Sequence, residues 1–347
     1  MAGMPRIQAV RMAYTLSGRA QLLSPLPLYT REDARMLGLR LEAPRWHRVR
    51  KGVHVDKKQY LALNDWQKYA VCVHAYLRLH PDAILCLESA GVIHGLPQFG
   101  EGRFIHVYDP RAMASQRYGD IRVHTSRDPR RVVRIGATLV TSLLDTVVDL
   151  ARVMNPADAL AVADASISAV QGGSLRLDAL IERGRELEDP RGRARMRWVW
   201  GHANALSESP AESISRAVIM WSGYEMPELQ REFRYEGHVD RCDFYFRSNG
   251  AIGEADGWGK YELDDPAEAA RRLRDEKRRE DRLRRHQHPM GRWDLGDAWK
   301  VSPLRAALDG AGVRMVRPPV PAMLATLRVR SRAKPWRSAT RETDPAE

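Results

Sequence analysis

The residues best suited to chemistry lie in two short runs, Val239-Asp240-Arg241-Cys242-Asp243-Phe244-Tyr245-Phe246 and Ala251-Ile252-Gly253-Glu254-Ala255-Asp256-Gly257. Aromatic and β-branched residues mark both as strands, and Arg247-Ser248-Asn249-Gly250 between them ends in an Asn-Gly pair that favours a tight turn. The spacing predicts a β-hairpin. Side chains alternate along a strand, which puts Cys242, Phe244 and Phe246 on one face and Asp243 on the other. On the second strand Glu254 and Asp256 share a face, roughly 7 Å apart along the backbone. If the hairpin brings Asp243 beside Glu254, carboxylates crowd one end of a sheet, and oxygens at that density suit a hard divalent cation such as Mg²⁺. The competing reading is a solvated strand end followed by an Asp-Gly turn.

A further acid stands upstream. Ser209-Pro210-Ala211-Glu212 is a helix start with Ser as cap, Pro in the first position and Glu closing a capping box. That helix should run to Trp221 or Ser222 and stop at Gly223. Capping alone explains Glu212, so a role in chemistry needs separate support. Downstream, Ala267 to His286 reads as a long helix of unusual charge. Between Arg271 and Arg285 nine Lys/Arg oppose four Asp/Glu. Such a run is ordinarily a solvated helix with i,i+4 pairs, for instance Asp275 with Arg279. Following an acidic hairpin, its cations, Lys277 and Arg278 among them, could instead cradle a phosphate backbone.

The totals agree with such a partner. The 347 residues suffice for two or three domains with real cores, and the formal charge is +12. A pI near 9.9 favours a polyanion, most simply nucleic acid. Cys72, Cys86 and Cys242 are scattered, which reads as reduced core thiols in a cytoplasmic protein. No run approaches eighteen uninterrupted apolar residues, so no membrane span is expected, and no apolar signal core follows the basic N-terminus.

Residues 1–27 read as a loosely ordered basic lead-in. Thr30, Glu32 and Asp33 then start a helix that Gly38 ends. Arg45 to Val55 alternates like a basic β-ribbon turning at Gly52, with Arg45, Arg48, Arg50 and Lys51 as its cations. A short helix followed by a basic ribbon is the outline of a winged helix, which sets cations against phosphates. The interval between Gly38 and Trp46, interrupted by Pro44, leaves room for only a stunted base-reading helix. Residues 65–80 and 84–97 read as buried helices, with His94 structural. Ile105–Tyr108, Ile121–His124 and Val132–Val140 read as strands. Thr141–Val153 and Ala157–Val170 read as packed helices, and Leu175–Leu206 as an arginine-rich helical bridge.

Two resemblances enter on these pieces. Ser209 to Ser213, Pro227 to Gln230, Cys242 to Phe244, Gly253 to Gly257, Lys260-Tyr261, Glu276 to Arg282 and Arg292-Trp293 occur in order. Together they resemble the PD-(D/E)XK restriction-like endonuclease domains grouped with very-short-patch-repair nucleases, over roughly residues 205–312. The resemblance implies that Glu212, Asp243 and Glu254 hold Mg²⁺ or Mn²⁺ for phosphodiester hydrolysis. This chain departs from the pattern where Asp256 replaces the usual lysine, which leaves Lys260 or Lys277 to orient water or stabilise the phosphate. Residues 25–170 resemble the AbiEi-type antitoxin modules of type IV toxin–antitoxin systems, through Thr30 to Gly38, Arg50 to Val55, Ser89 to Pro97, Thr141 to Ala151 and Ala163 to Ala165. Promoter DNA and a cognate toxin are the partners this second resemblance implies.

The expected architecture is α+β and α/β, multidomain. It comprises a lead-in (1–27), a winged-helix-like domain (28–64), an antitoxin-like α+β module (65–174) and a helical linker (175–206). A restriction-endonuclease-like α/β domain (207–318) and a disordered basic tail (319–347) follow. The expected function is a DNA-binding protein with a metal-dependent endonuclease domain. The alternatives are a transcriptional regulator or antitoxin that uses a degenerate nuclease fold as a platform, and a toxin-neutralising interaction protein.

Overall fold

The computed structural model describes residues 15–100, 104–256 and 266–327 and shows a multidomain α+β protein. Its front comprises α1 (Leu16–Arg19), β1 (Tyr29–Thr30), α2 (Arg31–Met36), β2 (Trp46–Arg50), β3 (Val53–Asp56) and α3 (Lys57–Ala62). Thr30 caps α2 through a complete capping box: its hydroxyl accepts from the Asp33 amide, and Asp33 Oδ2 accepts from the Thr30 amide at 2.8 Å. β1, β3 and β2 form an antiparallel sheet in that order, and Gly52 makes the β2–β3 turn with a φ of 88°. Here two expectations are corrected. Leu37 to Arg45 forms turns, with no helix between α2 and the ribbon. Nor is the described part of the lead-in loose: Leu16 is buried, its amide donates to Gln171 O at 2.5 Å, and Gln21 bonds Val92 and His74. A side chain at Gly95 would collide with Leu16, so that close approach requires glycine.

The middle contains α4 (Asp65–Leu79), β4 (Ile84–Leu85), α5 (Leu87–His94), β5 (Ile105–Tyr108), β6 (Gln116–Tyr118), β7 (Ile121–His124), β8 (Val132–Ile135) and β9 (Thr138–Thr141). Then come α6 (Leu143–Val153), α7 (Pro156–Ile167), α8 (Leu177–Glu186) and α9 (Arg193–His202). Its sheet runs β6-β7-β5-β4-β9-β8. The expected single strand Val132–Val140 is a hairpin folded at Gly136, where φ is 58°. Residues 84–85 are strand, because Ile84 and Leu85 pair with both β5 and β9. His94 is structural as expected, its Nε2 lying 2.8 Å from the Thr141 carbonyl. Residues 175–206 are helical but no free bridge: Leu180, Met196 and Val199 are buried with Val147, Leu150 and Val162. Their apolar faces have the α6–α7 surface to cover, and that burial outweighs the freedom of a linker.

The final part contains α10 (Pro210–Trp221), β10 (Glu228–Tyr235), β11 (His238–Phe246), β12 (Ala251–Asp256), α11 (Pro266–Arg285), β13 (Met290–Asp294), α12 (Leu295–Lys300), α13 (Ser302–Gly310) and α14 (Pro321–Thr326). β10, β11 and β12 are antiparallel neighbours, and β13 adds parallel to β12. A parallel pair needs a crossover, and α11 is in the segment that makes it. Phe244, Phe246, Ala251 and Ala255 pack with Ile214, Val218 and Trp221 of α10. Ile252 packs with Leu283 of α11. Trp293 ties β13 to α10, its indole N–H donating to Ser215 Oγ at 2.7 Å.

Cys242 departs from the expected face. It packs with Phe233, Ile252 and Leu283, whereas Phe244 packs with the α10 cluster. The β10–β11 register pairs Leu229 with Phe244 and Arg231 with Cys242, and Gln230 between them has a φ of 55°. Gln230 takes this left-handed conformation at the level of Asp243, between two pairs that keep one register.

The middle and final parts share a core, since Ala157, Leu160 and Ala161 of α7 join the α10 cluster. A buried ion pair crosses the same contact, with Arg216 Nη2 2.5 Å from Asp164 Oδ2. Burial pushes the Asp164 carboxyl up, and Arg216 with the Asn204 amide pulls it only part of the way back. Among the described residues no helix is long and apolar enough to cross a membrane. Arg216→Met strands a buried carboxylate and is expected to cost about 3–5 kcal/mol in urea unfolding. A loss below about 1 kcal/mol would show that this pair does not hold the two parts together.

Candidate functional site

Glu212 sits in the first turn of α10, where Ser209 Oγ accepts its backbone amide at 3.2 Å. The expected reciprocal capping bond is not the one that forms. Glu212 Oε2 instead accepts from the Glu208 amide at 2.8 Å and from Gln230 Nε2 at 2.9 Å. The carboxyl is thereby turned toward the sheet, and the residue is only 6% exposed. Burial first, and the charge of Asp243 second, push its pKa well above the ordinary carboxyl range. Bonds from Glu208 and Ser209 work against that rise. The kink at Gln230 thus has a local consequence, since it accompanies the amide that holds Glu212.

Asp243 lies where the β11–β12 ladder ends. The last registered pair is Phe244 with Gly253, so Asp243 and Glu254 occupy the next positions on their strands. Asp243 Oδ2 accepts from the Ala255 amide at 2.9 Å, so a carboxylate bonds the neighbouring strand just beyond the last backbone pair. Glu254 is 3% exposed and points toward α11, on the Ile252 side of β12.

There it meets Arg279, whose helical spacing suggests Asp275 as a partner. Arg279 Nη2 lies 2.5 Å from Glu254 Oε1 and donates to the Arg241 carbonyl at 2.6 Å. Asp275 instead lies 3.8 Å from Arg278. Burial opposes the Arg279 charge, but Glu254, Asp243 and Asp240 outweigh it and hold the guanidinium above its ordinary range. The next positions on the same face repeat the theme. Arg282 grips Asp240 with two bonds of 2.7 and 2.6 Å, and Arg285 reaches Glu236 at 2.8 Å. Asp256 lies 3.3 Å from Arg292, which also pairs with Glu276 at 2.6 Å. One face of α11 is therefore an arginine clamp on β11 and β12. Sequence reasoning missed this role of Arg279 and Arg282. The available signal was their three-residue spacing through Arg285, on the side of the helix that carries Leu283.

Glu212, Asp243 and Glu254 are thus brought to one end of the sheet, while Asp256 is drawn toward β13. Lys260, the expected replacement for the missing lysine, lies outside the described residues, as does most of the expected tail. Oxygen donors of this kind suit Mg²⁺ or Mn²⁺. Yet among the described residues no group of three or more His, Cys, Asp or Glu side chains is arranged to hold a metal ion. Glu254 pairs with Arg279, and one oxygen of Glu212 accepts from both Glu208 and Gln230.

The cations expected to face phosphates divide as well. Arg48 and Lys51 are exposed on the ribbon, as are Lys277 and Arg278 on α11. Arg45 is exposed, 3.7 Å from Asp56, and covers the Trp46 ring. Arg50 is not presented to a ligand. Asp120 holds it with bonds of 2.6 and 2.9 Å while it lies over Tyr76, because the ribbon packs on α4 and β7 follows directly.

Neither a family model nor a solved structure matches this chain. Two uncharacterised proteins of Mycobacterium tuberculosis, from strains CDC 1551 / Oshkosh and ATCC 25618 / H37Rv, are each 29% identical to it over 165 residues. The match covers 47% of this chain and 58% of each relative, so the chain spans little more than half the length of the proteins it resembles.

A buried acid with a raised pKa makes stability fall as pH climbs. Between the ordinary carboxyl range and the raised value the folded state holds the proton that the unfolded state has released. Glu212→Gln removes that titration while preserving an acceptor for Glu208. The variant should therefore gain stability relative to the parent on moving from pH 5 to pH 8, measured by urea unfolding at both. An unchanged difference between the two pH values would remove the burial argument for Glu212.

Proposed function

We propose that the chain is a DNA-binding protein whose final part, residues 207–318, is a phosphodiester-hydrolysing unit of the restriction-endonuclease-like kind. One observation carries the reading. Acids of α10 and β11 stand close enough at the end of a mixed sheet for Glu212 and Asp243 to feel each other's charge, and a basic helix crosses that sheet. Mg²⁺ or Mn²⁺ is the cofactor the resemblance implies. The described side chains do not form a three-ligand group for it. The chain's own residues supply recognisable functions. Asp243 is fixed by the Ala255 amide, Glu212 sits where it can keep or release a proton, and Lys277, Arg278, Arg45, Arg48 and Lys51 offer charge to phosphates. The winged-helix and antitoxin-like reading of the front belongs to this proposal too. Without a helix between α2 and β2, it rests on phosphate contacts by the ribbon.

A second reading has its own support. Glu254 paired to Arg279, and Asp256 to Arg292, suit a platform that binds DNA without cutting it, as in a regulator or antitoxin. Incubating the protein with supercoiled plasmid and with single-stranded DNA, in Mg²⁺ or Mn²⁺, separates the two. The hydrolytic reading expects cleavage that Asp243→Asn slows by about 100-fold or more, close to 3 kcal/mol of barrier. DNA binding without cleavage by either protein selects the platform. No DNA binding by the parent overturns both readings.

A further inference from the structure

We propose that the cleft at the ends of β5 and β7 binds a small oxyanion, a phosphate or a carboxylate, held by a protonated His124 and by Arg191. The site lies in the middle part of the chain and does not depend on the hydrolytic reading of residues 207–318. Among the described residues, Tyr108, Ser115, His124 and Thr125 line one side, ending or following the parallel strands β5 and β7. Positions beyond the carboxyl ends of parallel strands are where open α/β sheets ordinarily take ligands. From the other side α6 supplies Asp149 and Arg152, and the α8–α9 turn supplies Asp189 and Arg191. The volume is about 240 Å³, below the range of sites for larger ligands and ample for one phosphate or carboxylate group.

A chain of titratable groups stands behind His124. Glu88 Oε2 lies 3.4 Å from His106 Nε2, and His106 Nδ1 lies 2.9 Å from His124 Nε2. His106 is 5% exposed, whereas His124 reaches the cleft. Two ring nitrogens bond only when one carries a proton and the other offers a lone pair. With the Nε2–H of His106 toward Glu88, His106 Nδ1 accepts the Nε2 proton of His124. A proton arriving at His124 Nδ1 lets that Nε2 proton pass to His106 Nδ1. No other bond changes, and the added charge comes to rest beside a carboxylate, which stabilises it.

The other charges on the cleft leave room for an anion. Among the described residues three arginines line it against two aspartates, a balance of +1 before any proton reaches His124. Arg130 is engaged by Asp149 through two bonds of 2.8 Å, and Arg152 pairs with Asp189 at 2.9 Å. Arg191 differs. Its side chain is 91% exposed and lies 3.4 Å from Asp189, while Arg152 Nε holds the Arg191 carbonyl at 2.9 Å. Cys86 and Tyr108 also line the cleft; both are buried, and the Tyr108 hydroxyl accepts the Arg130 amide at 3.4 Å. Arg122, which pairs with His106 across the strands, is turned over the Phe104 ring at 3.8 Å.

Calorimetry on the full chain tests this with sulfate and acetate, whose own charges stay nearly constant between pH 6 and pH 8. An imidazole gains its proton across that interval, so at least one of the anions should bind about fivefold more tightly at pH 6. Tighter sulfate binding selects a phosphate-bearing ligand, and tighter acetate binding a carboxylate. His124→Gln should remove the pH dependence. Arg191→Gln should weaken binding several-fold and leave the ratio between the two pH values unchanged. Glu88→Gln takes away the carboxylate behind the rings and should move the midpoint of the pH dependence down. Circular dichroism checks folding; should His124→Gln or Glu88→Gln fail to fold, the exposed Arg191 decides. No saturable binding of either anion, equal affinity at both pH values, or affinity that Arg191→Gln leaves unchanged would mean an adventitious ion only and overturn the proposal. A midpoint indifferent to a folded Glu88→Gln would overturn it as well. None of these readouts involves DNA, so they stand apart from either reading of residues 207–318.

Discussion

Burying carboxylates beside one another is the constraint on which the final part of the chain depends. Each ionised acid withdrawn from water needs a donor or a cation, and each also raises the cost of its neighbours. The structure meets that demand in different ways within one sheet end. Glu212 takes an amide and a side-chain N–H and has its pKa pushed up. Asp243 takes a backbone amide, and Glu254 takes a guanidinium. Asp240, farther along β11, takes a second guanidinium through two bonds. These needs seat α11. The helix is basic on the face that meets the acids, and Leu283 adds an apolar contact against Cys242 and Ile252.

The same logic ties the parts of the molecule together. Asp164 and Arg216 carry a buried charge pair across the α7–α10 contact, surrounded by the alanine and leucine packing of both helices. Arg50 pairs with Asp120 between the ribbon and the middle sheet. In a chain with 56 basic residues, many arginines that look available from the sequence are already engaged. Cations that stay exposed include Lys277 and Arg278 on α11 and Arg45, Arg48 and Lys51 on the ribbon.

What could be read from the sequence was local. The hairpin about Asn249-Gly250 and the caps at Thr30 and Ser209 follow from turn chemistry and capping. The misses are tertiary. Alternation groups Cys242 with Phe244, whereas Cys242 packs with Phe233, Ile252 and Leu283. Residues 175–206 read as a bridge because arginines hide the apolar stripe that Leu180, Met196 and Val199 bury. Helical spacing alone suggests Asp275 for Arg279. A buried glutamate on a strand distant in sequence attracts it more strongly than an exposed neighbour one turn away. Of the candidate site, the three acids were visible beforehand, and the cation lodged against them was not.

A double-mutant cycle on Glu254 and Arg279 tests most directly whether this pair holds the sheet end together. Glu254→Gln, Arg279→Met and the double variant would be compared with the parent by urea unfolding at pH 7. Each single change strands the other partner, so the double variant should be more stable than the sum of the single losses allows, with a coupling of about 2 kcal/mol. Losses that add to within about 0.5 kcal/mol would contradict the central place given to the pair.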